Sequence, residues 1–183
     1  MTVAADADLE QAAQFAGPVG LTTLVDREND LARIFGYRAI PNGFAFGPDG
    51  ALIGSKIPGF DIRNAESRGL MEGWLATAGS PAASAEQPVA QEPATEALDL
   101  FAEGSRLMRE GQRSAAIAAW ARAFEKDPKD FVIRKQIWRA LYPDRFGDPI
   151  DLAWQKEQMA REDAEGFLNA NPGIVKADPR IPR

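Results

Sequence analysis

Apolar positions fall into short bunches over the first 78 residues, each ended by a turn-forming residue. Residues 2–5 ahead of Asp6 predict a strand, and Leu9, Ala12, Ala13 and Phe15 predict a short helix stopped by Gly17-Pro18. Thr22, Leu24 and Val25 predict a second strand. Leu31, Ile34 and Phe35 then recur at helical spacing, with Asp26 placed to cap the turn before them and Gly36 placed to end the helix. After Ile40-Pro41, residues 43–46 and 51–57 flank Gly47-Pro48-Asp49-Gly50. Pro presets the second turn position and Gly accepts a positive φ, so this segment predicts a β-hairpin. Leu70, Trp74 and Leu75 share one helical face within residues 64–78, a helix suited to packing on a sheet.

Beyond this the pattern breaks. Residues 79–95 (GSPAASAEQPVAQEPAT) carry Val89 as their largest apolar side chain and three prolines, the composition of a linker. From Ala97 the period is helical, and Ala97, Leu100, Gly104, Leu107, Gly111, Ala116, Trp120, Ala123 and Pro128 resemble a tetratricopeptide repeat over residues 97–130, with Glu103 where that family prefers Leu. The resemblance implies that Gly104 and Ala116 let two helices approach, that Leu107 and Trp120 fill the space between them, and that Pro128 stops the second. One repeat leaves an apolar face uncovered. Val132, Ile133, Ile137, Trp138 and Leu141, then Leu152, Trp154, Met159 and Phe167, predict two more helices as its cover. Residues 171–183, with Pro172, Pro179 and Pro182, lack periodicity and predict an extended tail.

The order VDRENDLARIFGYRAIPNGFAFGPDG resembles the second half of a redoxin, the thioredoxin-like group that includes peroxiredoxins and exported thiol-disulfide oxidoreductases. Asp26, Ala32, Phe35, Gly36, Ile40, Pro41 and Pro48-Asp49-Gly50 sit where that pattern puts them; Tyr37 and Asn42 depart from it. The resemblance implies a cis peptide before Pro41, and a docking role for Pro41 and the backbone of Ile40 toward a substrate thiol or disulfide. The strand and cysteine-bearing helix that precede this region in redoxins have no counterpart in residues 1–183. In the thioredoxin arrangement that strand lies between those resembling residues 2–5 and 43–46, so its loss leaves unpaired backbone groups on both sides.

Chemistry is bounded chiefly by what the 183 residues lack: there is no Cys and no His. Thiolate attack, disulfide exchange, Cys/His metal sites and His-dependent triads are therefore excluded for this chain by itself. Asp26-x-Glu28-x-Asp30 is the nearest approach to a carboxylate cluster, but the Gly and distal Glu of a calcium loop are missing, and a solvated helix start is expected. Arg134, Lys135 and Arg139 around Trp138 form a candidate anion patch, against which stands a solvated helix face. Trp120, Trp138 and Trp154 are candidate groove-lining residues, against which stands core packing. With a net charge of −6 and no basic run, nucleic acid is not an expected partner. No apolar run approaches the ~18 residues that span a bilayer, and no targeting signal assigns a compartment.

The expected architecture is α/β, an incomplete thioredoxin-like fold, plus an all-α helical-repeat tail. Its divisions are residues 1–78, a linker at 79–95, a helical domain at 96–169 and an extended tail at 170–183. Two functions compete. One is the carboxyl-terminal portion of a redoxin-type oxidoreductase, redox-silent as given and using Ile40 and Pro41 to dock substrate. The other is a non-catalytic module that binds protein or peptide through the helical tail. No cofactor or metal is expected for either.

Overall fold

A computed structural model describes residues 2–4, 10, 13, 23–27, 29–77, 95–147 and 150–177. These form a mixed α/β chain with a predominantly helical carboxyl-terminal part. Its contacts separate into two compact units, one of Met1–Asp30, Ala94–Lys129 and Ile133–Arg183, the other of Leu31–Pro93 and Asp130–Val132.

In the first unit, β1 (Thr2–Ala4) and β2 (Thr23–Val25) pair in parallel, with Thr2 opposite Thr23 and Ala4 opposite Val25. The helix expected over residues 9–15 lies outside the described residues except at Glu10 and Ala13, both helical and exposed. Asp26 caps the next helix as its spacing predicts, Oδ1 accepting the Asp30 N–H at 2.8 Å.

That helix, α1 (Asp30–Phe35), ends where Gly36 adopts φ +66° and donates to Ala32 O at 2.8 Å. In the second unit, β3 (Gly43–Phe46) and β4 (Leu52–Lys56) form an antiparallel hairpin with an irregularity at Ala45/Phe46. Gly50 takes φ +79° in its turn, and Asp49 Oδ1 accepts the Ala51 N–H at 3.0 Å. The Phe35 ring stacks on Phe44 with centroids 4.2 Å apart. Small residues admit large rings elsewhere on the hairpin: a Cβ at Gly43 would lie 2.5 Å from the Phe60 ring, and one at Gly54 would collide with the Trp74 indole. Phe60 and Trp74 stack at 5.4 Å, which seats α2 (Ala65–Thr77) against the hairpin. Among the described residues, strand pairing consists of two two-stranded sheets, β1-β2 and β3-β4.

The rest of the first unit is helical. In the helical hairpin of α3 (Thr95–Arg109) and α4 (Arg113–Lys126), a Cβ at Gly104 would stand 2.5 Å from the Trp120 ring and 3.0 Å from Ala116 O. Only Gly fits there. Trp120 is fully buried, and its Nε1–H is satisfied by Phe101 O at 3.1 Å. Helix α4 stops at Lys126, two residues ahead of Pro128, as the sequence predicts.

Helix α5 (Phe131–Leu141) places Ile133, Ile137 and Trp138 wholly in the interior, and a 3-10 turn follows at Pro143–Arg145. Helix α6 (Leu152–Glu165) is capped by the Asp151 carboxylate, which accepts the Trp154 N–H at 2.9 Å. Short helices α7 (Phe167–Ala170) and α8 (Pro172–Ala177) complete the described chain. The extended tail expected from residue 170 is thereby corrected. Pro172 opens α8, a position that tolerates its missing N–H, and Ile174 is fully buried. The expected linker at 79–95 lies outside the described residues apart from Thr95, which begins α3.

Candidate functional site

Between α1 and β3 the chain turns through residues 36–42, and the Ile40–Pro41 bond is cis, as is Ile57–Pro58. Three carbonyls of this loop are tied down within the second unit. Arg38 O accepts from the Phe131 N–H at 2.7 Å, and Ala39 O from Asn42 Nδ2 at 2.6 Å. Pro41 O accepts from both Gly59 and Phe60 N–H, at 2.8 and 3.0 Å. Ile40 lies among these anchors, yet neither its N–H nor its C=O has a hydrogen-bond partner among the described residues. Its side chain is 43% exposed and Pro41 is exposed. A main-chain donor and acceptor without partners on an exposed residue can pair with an extended segment, as an edge strand does, without reading its sequence.

The two residues that the resemblance singles out, Ile40 and Pro41, are therefore brought to one accessible loop. No thiol accompanies them, since the chain has no cysteine.

The other sequence candidates fall away from chemistry. Asp26 and Asp30 are linked through a helix cap, Glu28 lies outside the described residues, and no group of carboxylates suited to a metal occurs among the described residues. The Arg134 side chain is largely buried, 17% exposed. Its guanidinium lies 5.0 Å from the Phe124 ring centroid and 5.9 Å from that of Trp138, with Nε 3.5 Å from Glu162 Oε2. Lys135 has its pKa lowered by burial, so it too is partly drawn from water. Trp120 and Trp138 are core. Trp154 is packed edge-on among Trp138, Tyr142 and Phe146, at centroid distances of 5.6, 5.1 and 6.2 Å.

Sequence reasoning missed a buried polar seam. Gln155, Gln158 and Glu162, at i, i+3 and i+7 of α6, are all buried, whereas Leu152 on the same helix is 67% exposed. Glu162 Oε1 accepts from Trp138 Nε1 at 2.5 Å, Asn171 Nδ2 at 2.8 Å and Gln158 Nε2 at 3.2 Å. These bonds form a seam that joins α5, α6 and Asn171 without an apolar stripe, while Gln155 Nε2 and Glu162 Oε2 stay buried with no hydrogen-bond partner. Trp138, Gln158, Glu162 and Asn171 are engaged with one another, and their arrangement holds helices together. The nearest sequence signal was the i, i+3, i+7 spacing of Gln155, Gln158 and Glu162 itself.

No family model, curated protein or solved structure matches this chain.

Proposed function

We propose that the chain is the carboxyl-terminal portion of a redoxin-type thiol-disulfide oxidoreductase, and that it supplies substrate docking while another segment supplies the cysteines. The observation that carries this reading is the unpaired N–H and C=O of Ile40, an exposed residue of the loop before β3. The redoxin-like order of Asp26, Ala32, Phe35, Gly36, Ile40, Pro41 and Pro48-Asp49-Gly50 supports it.

In disulfide exchange a thiolate forms a bond to one sulfur of a disulfide, and the second sulfur departs as a thiolate. The 183 residues hold no sulfur nucleophile for either role. They do offer two main-chain hydrogen bonds that hold an extended substrate in line. At about 0.5–1.5 kcal/mol net for each bond, docking is weak and sequence-tolerant, which suits an enzyme that must release its product.

Peptide capture by the helical tail gains no support from Trp120, Ile137 and Trp138, all fully buried.

Peptide mapping and intact mass of the protein isolated from its own cells test the reading. A mass above 19.9 kDa, with a strand followed by W-C-x-x-C or T-x-x-C ahead of Met1, is expected. A mass of 19.9 kDa with no such segment would sink it.

A further inference from the structure

Of the three pinned carbonyls around Ile40, that of Ala39 is the one held by a side chain. Asn42 Nδ2 reaches back three residues to Ala39 O at 2.6 Å. The bond fixes which way the amide faces, because the reversed orientation would set two oxygens against each other. It also leaves Asn42 Oδ1 buried with no hydrogen-bond partner. An unsatisfied buried amide oxygen costs more than one ordinary hydrogen bond returns, so this side chain is a poor device for stability. It sits next to the docking loop.

We infer that Asn42 is a positioning residue: its amide clamps the Ala39 carbonyl, so that the free N–H and C=O of Ile40 are presented in one orientation to an extended peptide segment. The inference rests on the docking role proposed above for Ile40. Without the clamp, the Ala39 peptide group loses its own restraint between the pinned carbonyls of Arg38 and Pro41, and binding must first order it, which lowers affinity without removing any contact to the ligand. Asn42→Asp keeps the shape and loses the donor; Asn42→Gln keeps the amide.

The test uses the full 183-residue chain labelled with nitrogen-15 and titrated with a blocked pentapeptide of alternating valine and threonine. The Ile40 amide should shift in the wild type, and Asn42→Ala and Asn42→Asp should bind roughly three- to tenfold more weakly, the worth of one hydrogen bond. Asn42→Gln should recover part of the loss. In the absence of peptide, both weakening variants should lower the heteronuclear NOE at Ile40, and Asn42→Ala should melt at or above the wild-type temperature. Unchanged peptide affinity and unchanged Ile40 NOE in Asn42→Ala and Asn42→Asp would overturn the inference, as would loss of folding in both. A wild-type Ile40 amide that ignores the peptide would overturn the docking reading instead, and the peptide-free NOE would still decide the role of Asn42.

Discussion

The indole Nε1–H of Trp138 donates to Glu162 Oε1 at 2.5 Å, joining α5 to α6 through two residues that are 0% and 5% exposed. Trp138 is therefore a core residue whose single polar atom is satisfied by a carboxylate. Trp138→Ala in the full chain should cost about 3–5 kcal/mol and lower the melting temperature. Denaturant titration checks this, and an unchanged melting point would place Trp138 on a surface.

Glu162 should be as sensitive. Glu162→Ala removes the acceptor for Trp138, Gln158 and Asn171 and strands Arg134 beside a void, a loss of about 3–5 kcal/mol. Glu162→Gln retains an acceptor oxygen and should cost clearly less. Equal stability of the two variants by urea unfolding would mean that the hydrogen bonds contribute little.

The strands and the helical hairpin should differ in local stability. Two-stranded sheets are marginal in water, whereas α3 and α4 enclose a fully buried Trp120 against Gly104. Hydrogen exchange should be fast over β1 to β4 and slow over residues 100–124. Equal protection would mean that the sheets are completed by pairing in solution.

Asp61 should report on acid. Hydrogen bonds from the Arg63 side chain and then its backbone N–H lower its pKa from 3.8 to about 2. The folded state thus binds this proton less readily than the unfolded state, so the contribution is complete above pH 3.8 and disappears as pH falls toward 2. Asp61→Asn should flatten the melting-temperature profile between those values. Carbon-13 titration of the Asp61 carboxyl should show its midpoint near 2, and an ordinary midpoint would contradict the pairing with Arg63.

Local chemistry was legible in the sequence, and non-local compensation was not. Gly36, Asp26 and the Pro48-Asp49-Gly50 turn act through their own neighbours, and each does what its spacing predicts. Gly104 and Trp120 stood out through the repeat resemblance, as a close-approach position and a space-filling ring, and the two meet in the helical hairpin. The buried face of α6 was not, because apolar periodicity equates burial with hydrophobicity, and Leu152 lies outside while Gln158 and Glu162 lie inside. Their burial depends on donors from Trp138 and Asn171, which lie elsewhere in the sequence. Ile174 was missed because Pro172 reads as a breaker when taken alone, although it stands at a helix start. At the candidate site, Ile40 and Pro41 stood out by resemblance, whereas the clamp from Asn42 depends on a loop conformation that spacing does not encode.

The division of labour between docking and thiol chemistry is tested most directly by insulin-disulfide reduction with dithiothreitol. The assay compares the purified chain with a fusion that places a redoxin strand and cysteine-bearing helix ahead of Met1, both first shown to be folded by circular dichroism. The chain alone should stay at background because it has no thiolate, and the fusion should turn over until its cysteines are changed to serine. Turnover by the chain alone, or silence of the folded fusion, would contradict the account.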